Sequence, residues 1–140
     1  MNAAAGGTGL FGAVVVVRDL ARSERFYREL LELRVDVSST DAVLLSAPTG
    51  DRLVLRALSD APQVSGAIGP LILVWTVDSA SDLDRAAGVL RSGGALVSRS
   101  AEHGWEILEG RDPDDIRVIV IFRADPSVAV SSLPPRVYVY

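Results

Sequence analysis

The sequence predicts an α+β domain of two βαβββ modules, forming a cup-shaped pair of curved mixed sheets with helices on the outer faces. Three observations lead there. Apolar, β-branched runs open residues 10–17 (LFGAVVVV) and 71–77 (LILVWTV). Each passes into a helix-periodic stretch through matching steps, V-R-D at Val17–Asp19 and V-D-S at Val77–Ser79. Three shorter strand candidates follow each helix, so the order repeats, with sixty residues between the first strands.

The elements follow in chain order. After the first strand, RDLARSERFYRELLEL carries Leu20, Phe26, Tyr27, Leu30, Leu31 and Leu33 as one apolar stripe, with Asp19 placed to cap the helix. Strands are predicted over Arg34–Ser38, Ala42–Ala47 and Arg52–Ala57, with APTGD at residues 47–51 as the turn between the last two. In the second half, SASDLDRAAGVLRSGG puts Leu83, Ala86, Ala87 and Leu90 on one helix face and ends in glycines. Ala95–Ser98, Trp105–Glu109 and Arg117–Phe122 are its remaining strands. A strand-and-helix set of this size cannot bury its own sheet face, so the halves share one architecture whose inner faces form the cup.

These elements divide the chain into a flexible leader (1–9), one domain over 10–123 and a C-terminal extension (124–140). Module one spans about 10–60 and module two about 69–123, joined by small residues between Ser65 and Pro70. In the extension, the prolines at 134–135 stop any helix, and RVYVY alternates as an edge strand does. It is expected to cover a sheet edge or part of the cup, with Tyr138 or Tyr140 reaching a ligand.

Composition removes several function classes. The chain has no cysteine, hence no disulfide, thiolate metal site or cysteine nucleophile. All fourteen basic residues are arginine, which excludes a lysine Schiff base and a phosphate-loop lysine. A net charge of −4 without a basic run argues against nucleic acid. No apolar run has the length of a membrane span, and a cytoplasmic location is expected.

The stretch VRDLARSERFYRELL, read as V-x-D-L-x-x-S-x-x-F-Y-x-x-L-L, resembles the vicinal oxygen chelate superfamily of glyoxalases, extradiol dioxygenases, fosfomycin-resistance enzymes and bleomycin-resistance proteins. GPLILVWTVDS and DPDDIRVIVI resemble its other signatures, so the likeness runs in order from about Leu10 to Phe122. The resemblance implies a divalent metal held by His, Gln or Glu at four matching strand places. Here those places read Gly12, Val54, Ile72 and Ile119, and none offers a side-chain donor. No metal or other cofactor is therefore expected. Asp115 stands where the family's D-P-D-G turn has glycine, a place that needs positive φ.

His103, the lone histidine, reads as an exposed loop residue rather than a base or ligand. Asp112, Asp114 and Asp115 read as a solvated turn, without the spacing of a calcium loop. Trp105 shares a strand face with Ile107 and Glu109, and either stacks on a flat ligand or fills core space. Trp75 alternates with Ile72 and Val74 and belongs under the helix. Arg52, Arg56 and Arg117 either rim the cleft or lie exposed on edge strands.

The expected ligand cup is lined by Gly12, Val14, Val54, Arg56, Ile72, Val74, Trp105, Glu109, Arg117 and Ile119. The function expected is metal-free binding and sequestration of a small hydrophobic or amphipathic organic ligand, in a homodimer, with no catalytic residue assigned. The alternative is a lyase, isomerase or dioxygenase-like enzyme with displaced metal ligands or acid–base work by Glu106, Glu109 or His103.

Overall fold

The structure is a computed structural model that describes residues 12–58, 72–129, 132–134 and 137. The leader, the Ser65–Pro70 join, Tyr138 and Tyr140 lie outside these residues. The chain runs β1 (Gly12–Val17), α1 (Leu20–Leu31), β2 (Arg34–Ser38), β3 (Ala42–Ser46) and β4 (Arg52–Ala57). The order then repeats as β5 (Leu73–Thr76), α2 (Ala80–Ser92), β6 (Leu96–Glu102), β7 (Trp105–Arg111) and β8 (Arg117–Arg123). Sheet A has the order β1-β4-β3-β2 and sheet B the order β5-β8-β7-β6. In each, the first strand joins the last in parallel and the rest is an antiparallel meander.

The duplication reaches into the irregularities. One bulge falls between Val35 and Val37 on β2, and its twin falls between Leu96 and Ser98 on β6. Both helices start on a side-chain cap at the same offset: Asp19 accepts from the Arg22 N–H, and Ser79 from that of Asp82. β6 runs four residues beyond the predicted Ser98, because a polar outer strand carries little of the alternation that marks a half-buried one.

A single core joins the modules. Val17, Leu45, Leu53 and Leu55 from sheet A, Tyr27 and Leu30 from α1, Leu83, Ala86, Ala87 and Leu90 from α2, and Leu108, Val118 and Val120 from sheet B form one buried cluster. Trp75 packs partly buried against it, as its alternation predicts.

Polar links reinforce the junction. Arg85 of α2 donates to the carbonyls of Glu29 (2.6 Å) and Leu30 (3.0 Å) and pairs with Glu32 at 3.3 Å. It thereby serves the open carbonyls and the negative dipole end of α1. Arg18 and Arg22 both reach Asp114, in the turn between β7 and β8.

That turn corrects one expectation. Asp112 is not solvated: it is 5% exposed, accepts the Tyr27 hydroxyl at 2.8 Å and accepts the N–H groups of Asp114 and Ile116. Asp115 does take the left-handed conformation, at φ 66°.

Candidate ligand-binding faces

Strand pairing fixes which side chains share a face. In sheet A, Gly12 pairs with Arg52, Val14 with Val54, and Val16 with Arg56, while α1 packs on the opposite face. In sheet B, Val74 pairs with Ile119 and Ile119 with Glu109, so the row Val14–Val54–Leu44 has the twin Val74–Ile119–Glu109. Gly12 opens β1 and Ile72 immediately precedes β5, at the corresponding place of the second module. The two members of each pair of family ligand places are thus structural equivalents.

The residues found there do not fit a metal. Glycine, valine and two isoleucines carry no donor, and a Cβ at Gly12 would run into the Arg52 carbonyl oxygen. Among the described residues, no group of three or more His, Cys, Asp or Glu side chains is placed to hold an ion. Gly12 is held as glycine by strand contact, which leaves no room there for a coordinating side chain.

The two faces differ in cover. On sheet B, Ile119 (0% exposed), Ile107 (1%), Ile121 (5%) and Trp105 (5%) form a second apolar cluster, with Ile72 beside it. Its cover comes from the C-terminal extension: Val128, Leu133 and Val137 pack onto it, and the Trp105 indole N–H donates to Ser132 Oγ at 3.0 Å. No residue of sheet A belongs to this cluster. On sheet A, Val14 is 61% and Val16 37% exposed, and Arg56 is exposed as well.

Charged groups line one end of the sheet B face. Arg117 meets Glu109 in a two-pronged pair, Nε to Oε2 at 2.8 Å and Nη2 to Oε1 at 3.1 Å, with both side chains mostly buried. The arginines do not sit on edge strands as expected: β4 and β8 are flanked on both sides. Glu106 lies on the α2 side, where it meets Arg99. His103 is exposed at the β6–β7 hairpin, at φ 54° beside Gly104 at φ 85°. Neither reaches the sheet B cluster.

Two clefts open elsewhere. One, of about 470 Å³, lies between the modules against Gly12, Leu31, Pro48, Arg52, Trp75 and Arg85, and touches the predicted Val74. The other, of about 1050 Å³, follows the two helices past Phe26, Val89 and Pro113. Neither is lined by Trp105 or Ile119.

The C-terminal extension does cover part of the sheet B face, as its sequence implies, but through residues that the sequence does not single out. Val128, Leu133 and Val137 are spaced apolar residues in a turn-rich tail, a faint signal. The edge strand expected over RVYVY is not seen at its described residue: Val137 sits in a 3₁₀ turn closed by its N–H to the Pro134 carbonyl.

Among curated proteins none matches this sequence. Solved structures do. A glyoxylase/bleomycin resistance protein/dioxygenase domain from Frankia sp. EAN1pec is 25% identical, with TM-score 0.73 over 85% of this chain and 94% of that one. Lactoylglutathione lyase from Agrobacterium tumefaciens (18%, TM-score 0.64, 83% and 94% covered) and the fosfomycin resistance protein FosX from Mesorhizobium loti (15%, 0.64, 88% and 94%) share the fold. The family model described as the Glyoxalase/Bleomycin resistance protein/Dioxygenase superfamily matches residues 9–120. With paired βαβββ modules and twin bulges, the chain belongs to the glyoxalase/bleomycin resistance protein/dioxygenase superfamily.

Proposed function

We propose that this protein binds a small hydrophobic or amphipathic organic molecule without a metal, sequestering rather than transforming it. The observation that carries the reading is the chemistry of the sheet B face. Where the family's ligand places fall, Ile72 and Ile119 lie in an apolar floor with Ile107 and Ile121. Trp105 supplies a flat aromatic surface and one N–H donor, and the Glu109–Arg117 pair a polar end. Such a face suits an organic body with few polar groups. Val14, Val54 and Arg56 of sheet A complete the proposed cup, with Gly12 and Val74 at its rim.

The protein is proposed to act in the cytoplasm as a homodimer, which accounts for the exposed valines of sheet A. No described helix is long and apolar enough to cross a membrane.

Native mass spectrometry and metal analysis after chelator-free purification test the reading. The expected result is a dimer without stoichiometric metal that binds members of an aromatic and amphipathic compound panel. Retained stoichiometric Zn, Ni, Fe or Mn, or turnover of α-keto hemithioacetals, would replace it with the enzyme reading.

A further inference from the structure

The sheet B face is already filled, and what fills it is part of the same chain. The cluster holds Trp105, Ile107, Ile119 and Ile121 on one side and Val128, Leu133 and Val137 on the other. We propose that the part of the C-terminal extension carrying Val128, Ser132, Leu133 and Val137 is a displaceable occupant of the ligand face. Its ligand counterpart is an apolar molecule with a hydrogen-bond acceptor where Ser132 Oγ now sits. The proposal rests on the binding reading above.

The segment is held by side chains rather than by backbone. Its described residues join no β ladder. Their backbone bonds close local turns: Val128 N–H to Asp125 O, Ser132 N–H to Ala129 O, and Val137 N–H to Pro134 O. For the described residues, leaving the face therefore breaks no sheet hydrogen bond, and the turns they close can leave intact. Among the described residues, the backbone ties to the rest of the domain sit at the root of the segment, where Asp125 N–H meets Gly104 O and Arg123 Nη1 meets Val128 O at 3.4 Å, and the Trp105–Ser132 bond is the side-chain tie beyond it. The twin face of sheet A leaves Val14 61% exposed. Among the described residues, the chain thus covers one copy of the duplicated module and not the other.

The segment also shows what the face accepts. A buried indole N–H needs an acceptor. Ser132 Oγ supplies it at 3.0 Å while donating its own proton to Ala129 O at 2.6 Å. A replacement must offer a carbonyl, ether or hydroxyl oxygen at that point and apolar groups where Val128, Leu133 and Val137 lie. Glu109 and Arg117 offset one another's charge, so no net charge is demanded of the ligand. A neutral aryl ketone meets these conditions.

The absence of cysteine makes the test direct. Val137→Cys gives a single thiol at a position that is 0% exposed, and Leu108→Cys a second one at 0% in the main core. With an Ellman-type reagent under native conditions, Val137→Cys should react at least tenfold faster than Leu108→Cys. The fluorescent aryl ketone prodan should speed the Val137→Cys reaction further, because a competing ligand populates the open state. Equal rates for the two thiols would overturn the displaceable segment, and slowing by prodan would make the segment a cap over the ligand instead. A Leu133→Asp, Val137→Asp chain, shown folded by circular dichroism, should bind prodan more tightly than the parent, and Trp105→Phe in that background should weaken it several-fold. If neither chain binds prodan, the binding reading fails. The probe-free thiol rates still judge the segment on their own.

Discussion

Tyr27 donates its hydroxyl to Asp112 across 85 residues of sequence, at 2.8 Å, with the tyrosine fully buried and the aspartate 5% exposed. The two belong to different modules, and the family's F-Y and D-P-D signatures meet in this one bond. Tyr27→Phe keeps the ring and removes the donor, so it should cost about 1–3 kcal/mol, because a buried carboxylate oxygen loses its partner. Asp112→Ala should cost more, since two backbone N–H groups lose their acceptor as well. Urea midpoints of the two variants check the order.

The same contact sets the alkaline limit. Burial, and then the negative charge of Asp112, push the Tyr27 phenol far above its ordinary 10.0. Its stabilising effect is whole below pH 10. As pH rises further, the unfolded chain gives up this proton while the folded chain keeps it, so stability falls. The limiting slope for one such group is about 1.4 kcal/mol per pH unit. Tyr27→Phe should flatten the decline, as followed by urea unfolding from pH 8 to 11.5.

Arg85 offers a third case. Its two bonds to the α1 carbonyls are charge-assisted but partly exposed, the side chain being 30% accessible. Arg85→Ala should lower stability by about 1–2 kcal/mol. Arg85→Lys should recover only part of that, since a point charge cannot reach both carbonyls as the fork does. Thermal unfolding of the three chains decides.

Gly12 should be intolerant where Val14 is not. A Cβ on Gly12 runs into the Arg52 carbonyl of the paired strand, so Gly12→Ala should cost about 1–3 kcal/mol through forced separation of β1 and β4. Val14→Ala, at a position 61% exposed, should stay within about 0.5 kcal/mol. A reversed order in denaturant titrations would remove the steric account of Gly12.

Where periodicity or a fixed offset carried the information, residues could be placed from sequence. Leu83, Ala86, Ala87 and Leu90 are all at most 1% exposed, and Asp19 caps α1 as its place before the apolar stripe implies. The sixty-residue offset relates Gly12 to Ile72 and Val14 to Val74, whereas Ile119 follows from its distance to the Asp112 turn. What local pattern could not carry was partnership over distance. Asp112 looked like a turn residue because its phenol partner lies 85 positions earlier. Arg117 looked available because Glu109 comes within reach only when β7 and β8 pair. The cover over Trp105 depends on where turns deliver three isolated apolar side chains, and no periodic signal marks that.

The contacts that tie the halves together also order events in time. Arg85 reaches back 56 and 55 residues, Tyr27 waits 85 for Asp112, and Arg18 waits 96 for Asp114. At roughly 5–20 residues per second, a nascent chain exposes the first module for several seconds before these partners leave the ribosome. In that interval the last carbonyls of α1 and the phenol of Tyr27 have only water to bond. The older half of the duplication is thus born unfinished. The interval in which it meets chaperones is set by how fast the second half is translated.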